Sequence, residues 1–598
     1  MTSEFIEKLR AAQTRQELAE ILGIKESSLT YILYFLEESE KYKKFSIPKR
    51  SGGEREICAP DPRLKNLQRK VANILSEVFD YSCDGNGSER MVNTSSHGYR
   101  SGRSIYTNAS PHRKKRFVFN VDIENFFGNI GFPRVYGFFL KNNRFKLRSK
   151  IAATLAHIIC TKEGLPQGSP CSPVMSNLIG GALDFRLSKL AERHGCTYTR
   201  YVDDLSFSTN KAQFPVGVAF LDEENGVWMP GKDLISVIRK SGFSLNDKKT
   251  RMSYKDSRQI VTGLVVNRKV SVPVEYRKQV RAYVHRLIKE GQYFVRNDQG
   301  VEFTGNVRAL QGMMNYILHA ERLSGKKLPD SSGGKGCVGF HRVYRDYLFY
   351  TRFFNPANPF VICEGKTDPI HLKASILSKA EKFPCLVDGK GGLAVSFFNH
   401  DGYDDHGDVK SGRISVSKAL GVFSGGGPSF RNLIGLYNKF LKKYSKERKN
   451  YFSNPVIMIF DNDKGGILDA IPVIKNNSDK KNGGAFNGEG GRDSEYFNPF
   501  GNLFIVPVPR KKSMGREDFD IESLHDDGVR IGRLNEKGVV NNKVKFAMYV
   551  RDNAKSINFD GFEPILETIS KIVRESAFRL DRAGEAQIGL LRGRAPTD

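Results

Sequence analysis

In YTRYVDDLSFS, residues 198–208, two runs of aromatic, β-branched and hydroxyl-bearing residues flank two adjacent acids, Asp203 and Asp204. Runs of that composition read as strands, so the acids fall at or beside a tight connection. Aspartate is a good turn residue because its side chain hydrogen-bonds its own backbone, and taken by itself the stretch fits a plain hairpin. The rest of the chain must decide. FVFNVDI, residues 117–123, alternates, with Val118, Asn120 and Asp122 on one face and Phe117, Phe119, Val121 and Ile123 on the other. It places a carboxylate on a strand otherwise suited to burial. GLPQGSPCSPVMSNLIGGALDFRL, from Gly164, joins a Gly/Pro-rich loop to a helix, a design that lets backbone approach a ligand closely.

Nucleotidyl transfer needs two divalent cations about 4 Å apart, and hard cations need carboxylate oxygens. A carboxylate ending one strand, beside another at a neighbouring hairpin, makes such a site, and Asp122 and Asp203 fit those roles. The net charge of +28 points to a polyanionic partner, nucleic acid before a membrane surface. No apolar run approaches bilayer length, and MTSEFIEKLRAAQ lacks the order of a signal peptide, so a cytoplasmic location with no membrane partner is expected. Eight cysteines without C-x-x-C or zinc spacing predict reduced thiols.

With 598 residues, several domains are expected. Residues 1–45 carry helical periodicity through Phe5, Leu9, Leu18, Ile21 and Leu22. YKKFSIPKRSGGEREICAP reads as two short basic strands around a Ser-Gly-Gly turn. Residues 271–323 are helical, basic and aromatic, and SGKKLPDSSGGKG, residues 324–336, begins a connector placed at 324–350. Beyond it the short apolar strands FVIC, VIMIF and LFIVPV alternate with helices, predicting a parallel α/β domain. The polar, Gly-rich stretch before the last strand reads as an exposed insertion. NHDGYDDHGD, residues 399–408, has the composition of a metal site but suits a solvated loop better.

The ordered set FVFNVDIENFF, GLPQGSP and YVDD resembles reverse transcriptases, and NASPH (108–112) and VTG (261–263) bring it nearer to those of bacterial retrons. IPKRSGGEREICAP and HGYRSGRSI match fingers segments of that family. The resemblance implies an α+β right-hand polymerase, with fingers and palm over 46–270 and an RNA-binding thumb over 271–323. It implies that Asp122 and Asp203 hold two Mg²⁺ ions with Asp204 supporting them, and that Phe127 excludes a ribose 2′-hydroxyl. Gln167 and Gly168 would pack against the incoming nucleotide and template, and Lys49 and Arg55 would contact its triphosphate. Asn108, His112, Val261, Thr262 and Gly263 are the retron-type signature residues. The implied activity is that of an RNA-directed DNA polymerase that uses dNTPs, primes from a 2′-hydroxyl of a structured noncoding RNA, and makes branched msDNA. Val202 stands where retron enzymes often have Ala.

PFVICEGKTD puts Glu364 after an apolar strand, and PVIMIFDNDKGG does the same for Asp461 and Asp463. Sites in open α/β sheets gather beyond the carboxyl ends of strands, and three acids there can hold one or two Mg²⁺. The E-G-x-x-D and D-x-D-x-x-G pair resembles the Toprim domain of primases, topoisomerases and OLD-type nucleases, placed at 351–530 with a parallel sheet and a helical extension over 531–598. SGGGP (424–428) sits where such domains often carry glycine. DFDIESL makes Glu522 a further metal candidate, and Lys511 or Lys512 a phosphate contact. The resemblance implies metal-dependent cleavage of a nucleic acid by an anti-phage effector; a homo-oligomer is compatible with it. A non-catalytic RNA-binding scaffold gains nothing from acids concentrated near phosphate. A group II intron-type enzyme calls for a maturase domain, often with a zinc-bearing nuclease module, and the cysteine spacing supplies no zinc site.

Overall fold

The computed structural model describes residues 2–48, 53–84, 95–297, 300–325, 339–399, 416–420, 422, 427–444, 454–478, 492–510, 519–530 and 542–576. The expectations for Lys49, Lys511, Lys512, residues 326–336 of the connector, the acidic loop 400–408, Ser424–Gly426 and the polar stretch 479–491 lie outside the described residues. The chain divides into two compact units, Met1–Tyr276 and Arg277–Asp598. Among the described residues no helix is long and apolar enough to cross a membrane. Cys58, Cys160, Cys171, Cys196, Cys363 and Cys385 are free thiols.

In the first unit, β1 (Tyr42–Pro48) and β2 (Glu54–Pro60) form an antiparallel hairpin. After α1 (Pro62–Asp84) and the short α2 (Ile105–Ala109) comes β3 (Phe117–Asp122). Further along the chain, with other elements between them, lie α3 (Cys171–His194), β4 (Thr197–Tyr201), β5 (Asp204–Thr209) and β6 (Arg251–Tyr254). These strands form one antiparallel sheet in the order β4-β5-β3-β6. Val118, Phe119 and Val121 are all buried, so the alternation read in β3 does not leave one face to solvent. Phe119, Val121, Leu205 and Phe207 share a core with Cys171, Met175, Leu183 and Leu187 of α3. The helix ends where its sequence says it should. Gly195 takes φ 65 and its N–H closes on the Ala191 and Glu192 carbonyls, while Arg193 and His194 sit favourably in the last turn.

In the second unit, α4 (Val307–Leu323) starts at Asn306, whose side chain accepts from the Arg308 and Ala309 N–H groups. There follow α5 (Phe340–Leu348), β7 (Phe360–Cys363), α6 (Asp368–Ser378), β8 (Ser396–Phe397) and α7 (Gly427–Tyr444). The remaining elements used here are β9 (Val456–Phe460), β10 (Phe497–Phe500), β11 (Leu503–Pro507) and α8 (Lys543–Asp552). The sheet order is β8-β7-β9-β11-β10; the first four strands are parallel and β10 runs antiparallel to β11. Every residue of β7, β9 and β11 is buried, which is why these strands read as continuous apolar runs. Phe546 and Val550 of α8 and Ile565, Leu566 and Ile569 beyond it enter the same core as Val361 and Ile457.

Candidate active site

Tyr201 pairs with Asp204 across β4 and β5, leaving Val202 and Asp203 as a two-residue loop. Val202 has φ 62, and Asp203 is not among the residues of positive φ. A positive φ at the first loop position alone is the pattern of a type II′ hairpin turn, whose backbone suits glycine. A β-branched residue there is strained, at a cost of roughly 1–3 kcal/mol. The surroundings hold it in place. Arg200 Nη1 donates to the Val202 carbonyl at 2.9 Å, and the buried Val202 side chain closes on Gly98, where a Cβ would lie 2.6 Å from Val202 Cγ2.

Arg200 itself is fully buried and forms a two-pronged ion pair with Asp184 of α3, both contacts at 2.7 Å. Tyr198 donates to the same carboxylate, and Arg200 Nη2 also reaches Ser96 Oγ and Asn177 Oδ1. A guanidinium fork satisfied on this many sides is a rigid strut beneath the turn. Neither Arg200 nor Asp184 stands out in the sequence as a site residue.

The register of β3 against β5 places Asp122 opposite Asp204, and the Ile123 N–H donates to the Asp203 carbonyl at 3.0 Å. Asp122, Asp203 and Asp204 thereby bring one carboxylate oxygen each within 4.8 Å of one another. Among the described residues no other group of acids, histidines or cysteines does so. Burial and then the Asp122 charge raise the Asp203 carboxyl, opposed by Lys249 and Arg55. Asp204 is exposed, yet shielding of its carboxyl from water and the charges of Asp203 and Asp122 push it up to about 7. Lys249 Nζ binds Asp122 Oδ2 at 2.9 Å; partial burial opposes its charge, but the bond and the three acids hold it above its usual range. Three carboxylates crowded this closely repel one another, and a divalent cation relieves that repulsion while taking oxygen ligands. The donor set therefore fits Mg²⁺.

The other candidates of this unit surround that trio in different ways. Arg55 is exposed on β2, within electrostatic reach of Asp203. Phe127 is half-buried against the core, edge-on to Phe126. The Gln167 carbonyl accepts from the Cys58 N–H at 2.7 Å, and at Gly168, φ +126, a Cβ would sit 2.8 Å from the Cys58 carbonyl, so the loop is pinned to β2 by backbone. Thr262 and Gly263, φ 45 and 79, form the two-residue turn between Val261 and Leu264, the double positive φ of a type I′ hairpin. Thr262 Oγ1 donates to the Ile105 carbonyl at 3.1 Å, tying this turn to the start of α2. Asn108, at the end of α2, is buried with both amide atoms unpartnered among the described residues.

His112 is buried between Ser208 Oγ at 2.7 Å and Thr199 Oγ1 at 2.8 Å, bridging β5 and β4 behind the acids. Burial, with smaller pushes from Lys115 and His97, lowers its ring to about 3. An unfolded histidine takes up its proton near pH 6.5, so as pH falls the unfolded state binds protons that the folded state refuses. Stability present at neutral pH is thus lost progressively below about 6.5, by ~2 kcal/mol at pH 5. The expected result is that wild type loses about 2 kcal/mol more than His112→Gln between pH 7.5 and 5. Guanidinium unfolding followed through Trp228, the chain's one tryptophan, measures it.

In the second unit, Glu364 follows β7, and Asp461 and Asp463 follow β9, its parallel neighbour. The Asp461 N–H donates to Glu364 Oε2 at 3.2 Å. Asp463 Oδ1 accepts from the Gly466 N–H at 2.6 Å, and a Cβ on Gly466 would lie 3.0 Å from both Asp463 Oδ1 and Glu364 Oε2. Gly427 of the SGGGP motif gives its N–H to Glu364 and approaches the Gly465 carbonyl too closely for a side chain. Glu522 is buried and held at 2.9 Å by Lys543 Nζ, which also reaches Asp520 Oδ2 at 3.1 Å. Burial and then Asp520 push Glu522 up to about 7, and burial and then Asp368 raise Asp461. The acids form two adjoining sets, Glu364 and Asp463 around Gly466, and Asp368, Asp461, Asp520 and Glu522 around the Lys543 charge. They do not converge as the first trio does. Asp368, Asp520 and Lys543 were not among the sequence candidates.

A family model described as reverse transcriptase (RNA-dependent DNA polymerase) matches residues 47–305. Retron Mx162 reverse transcriptase of Myxococcus xanthus is 34% identical over 305 residues, 47% of this chain and 60% of that one. Retron Mx65 reverse transcriptase of the same organism is 31% identical, covering 53% of this chain and 72% of the relative. Retron Ec86 reverse transcriptase of Escherichia coli is 31% identical, covering 48% and 79%. Each alignment leaves about half of this chain unmatched, and the match to the Mx162 protein spans only 60% of its length. A solved telomerase structure from Candida albicans superposes with a TM-score of 0.28 at 12% identity, over 52% of this chain and 59% of that one, too slight a likeness to argue from. Identity above 30% to relatives covered over more than two thirds of their length, in a chain whose palm-like sheet carries the acid trio, decides the family: the chain belongs to the retron reverse transcriptases.

Proposed function

We propose that residues 46–323, whose expected thumb falls mostly in the second unit, act as an RNA-directed DNA polymerase that primes from a 2′-hydroxyl of a structured noncoding RNA and extends it into branched msDNA. The observation that carries this reading is the convergence of Asp122, Asp203 and Asp204 within 4.8 Å. Those three residues would hold Mg²⁺, which when bound activates the attacking hydroxyl and steadies the leaving pyrophosphate. The chain's own part is placement. The strained turn and the Arg200 strut fix Asp203, the β3–β5 register fixes Asp122 beside it, and Lys249 offsets negative charge. Arg55 supplies a fork suited to phosphate, and the backbone-pinned loop at Gln167 and Gly168 offers a fixed wall for the nucleotide. The test is extension of the co-purified RNA with labelled dNTPs. Product resistant to RNase supports the reading, and RNA that is never extended overturns it.

For residues 351–530 of the second unit we infer a Toprim-like nuclease acting as an anti-phage effector. Supporting it are acids at the carboxyl ends of adjacent parallel strands and the glycine that gives its N–H to Glu364. Glu364→Gln or Asp461→Asn is expected to abolish nuclease activity and cell toxicity while cDNA synthesis stays within about twofold of wild type, since the two acid sets lie in separate units. Plasmid-borne growth assays beside cDNA gels check this; loss of both activities together would count against two independent sites.

A further inference from the structure

A cavity of about 880 Å³ opens in the second unit, walled by α4, by α5 with the π-helical stretch Phe349–Phe354 that follows it, and by β7 and β8. Its volume lies within the roughly 300–1,000 Å³ of small-molecule sites. Arg308 of α4 and Arg352 of the π-helical stretch both line it, and neither guanidinium has a hydrogen-bond or ion-pair partner among the described residues. No Asp or Glu is among the described residues lining it. Among the described residues the two arginines face one hollow with no acid beside them, which suits an anion, and π-helical segments are frequent at functional sites.

The remaining wall adds a different chemistry. Tyr316 and Phe397 line the cavity and are half-buried. Lys373 Nζ lies 5.6 Å from the Phe397 ring centroid, adding a third positive charge nearby. Asn315 of the same wall has its Oδ1 buried with no donor among the described residues, and an amide presents the donor–acceptor edge that pairs with a base. Rings for stacking, an unsatisfied amide for a base edge, and free guanidinium forks for phosphate are the components of nucleotide recognition. We propose that this cavity binds a nucleoside phosphate, with Arg308 and Arg352 on the phosphates and Tyr316, Phe397 and Asn315 on the base. The ligand is a free nucleotide or the 5′-phosphorylated end of a single strand. The cavity shares no lining residue with either group of acids, and its readout needs neither activity.

The test uses the full-length, nucleic-acid-free protein carrying Asp203→Asn, in EDTA, so that metal-dependent binding at the acid trio is silent. Fluorescent mant-ATP and a fluorescein-labelled, 5′-phosphorylated tetranucleotide are titrated separately. Arg308→Ala and Arg352→Ala should each weaken binding by ~10-fold or more, the loss of one charge-assisted contact. Gly312→Leu guards against misfolding. A Cβ there meets nothing within 4 Å, leucine favours the helix over glycine, and the side chain fills the cavity. Saturable mant-ATP binding lost in all three variants establishes a free-nucleotide site. Tetranucleotide binding alone, with the same losses, establishes a strand-end site. Failure of both probes to bind, or binding indifferent to the three substitutions, overturns the proposal.

Discussion

Replacing Asp203 and Asp204 together with asparagine leaves a folded protein that still binds RNA and makes no cDNA. The acids are the convergent part of a site in which burial and neighbouring charge disfavour the ionised forms of Asp203 and Asp204, the latter pushed up to about 7. Asparagine keeps the shape and removes the repulsion, so the folded state should be as stable as wild type or more so at neutral pH, the usual trade between an active site and stability. Catalysis loses its cation ligands. Metal stabilisation of transition-state charge is worth several kcal/mol, so primer extension should fall at least about a thousandfold. Thermal melting, RNA gel shift and cDNA synthesis on one preparation separate these effects. Extension surviving at more than a few per cent would remove the trio from the mechanism.

The second large effect is at a residue that touches no substrate. Arg200→Met leaves Asp184 buried without its cation and Tyr198 donating to an unpaired charge. Breaking a buried pair from one side costs about 3–5 kcal/mol, a large share of a typical domain's 5–15 kcal/mol. The Trp228 transition in guanidinium should shift accordingly, since Trp228 Nε1 donates to Tyr254 Oη on β6, in the same unit. Arg200→Met with Asp184→Leu should recover most of that loss, because replacing both partners by apolar groups removes the stranded charge. The recovered protein should still extend primers poorly, as nothing then holds the Val202 carbonyl. Full activity in the double variant would show that the strut serves stability alone.

How much of this the sequence shows depends on whether an interaction is local. FVFNVDI and YTRYVDDLSFS read as strands because their residues favour a pleated backbone, and the turn is marked by its acids. The register that sets Asp122 opposite Asp204 depends on how the intervening chain folds back, which no local pattern encodes. Val202 illustrates the limit from the other side: its positive φ contradicts valine's preference, and only the tertiary contacts with Arg200 and Gly98 impose it. Arg200 reads as a surface charge on a strand because its partner lies on a helix. In the second unit, FVIC, VIMIF and LFIVP are legible as strands covered on both faces, and acids at their ends follow from the sheet. Lys543 is invisible by contrast, one of many lysines until α8 packs beside Glu522 and Asp520.

We propose that this chain turns a bound RNA into covalently branched DNA. The most direct measurement is to purify the protein from cells carrying its native locus, extract the nucleic acid it holds, and treat that with RNase. The expected result is a short DNA that persists, carries a branch at a 2′-linked nucleotide, and vanishes when Asp203 and Asp204 are both asparagine. RNA alone, with no DNA in the wild-type preparation, would contradict it.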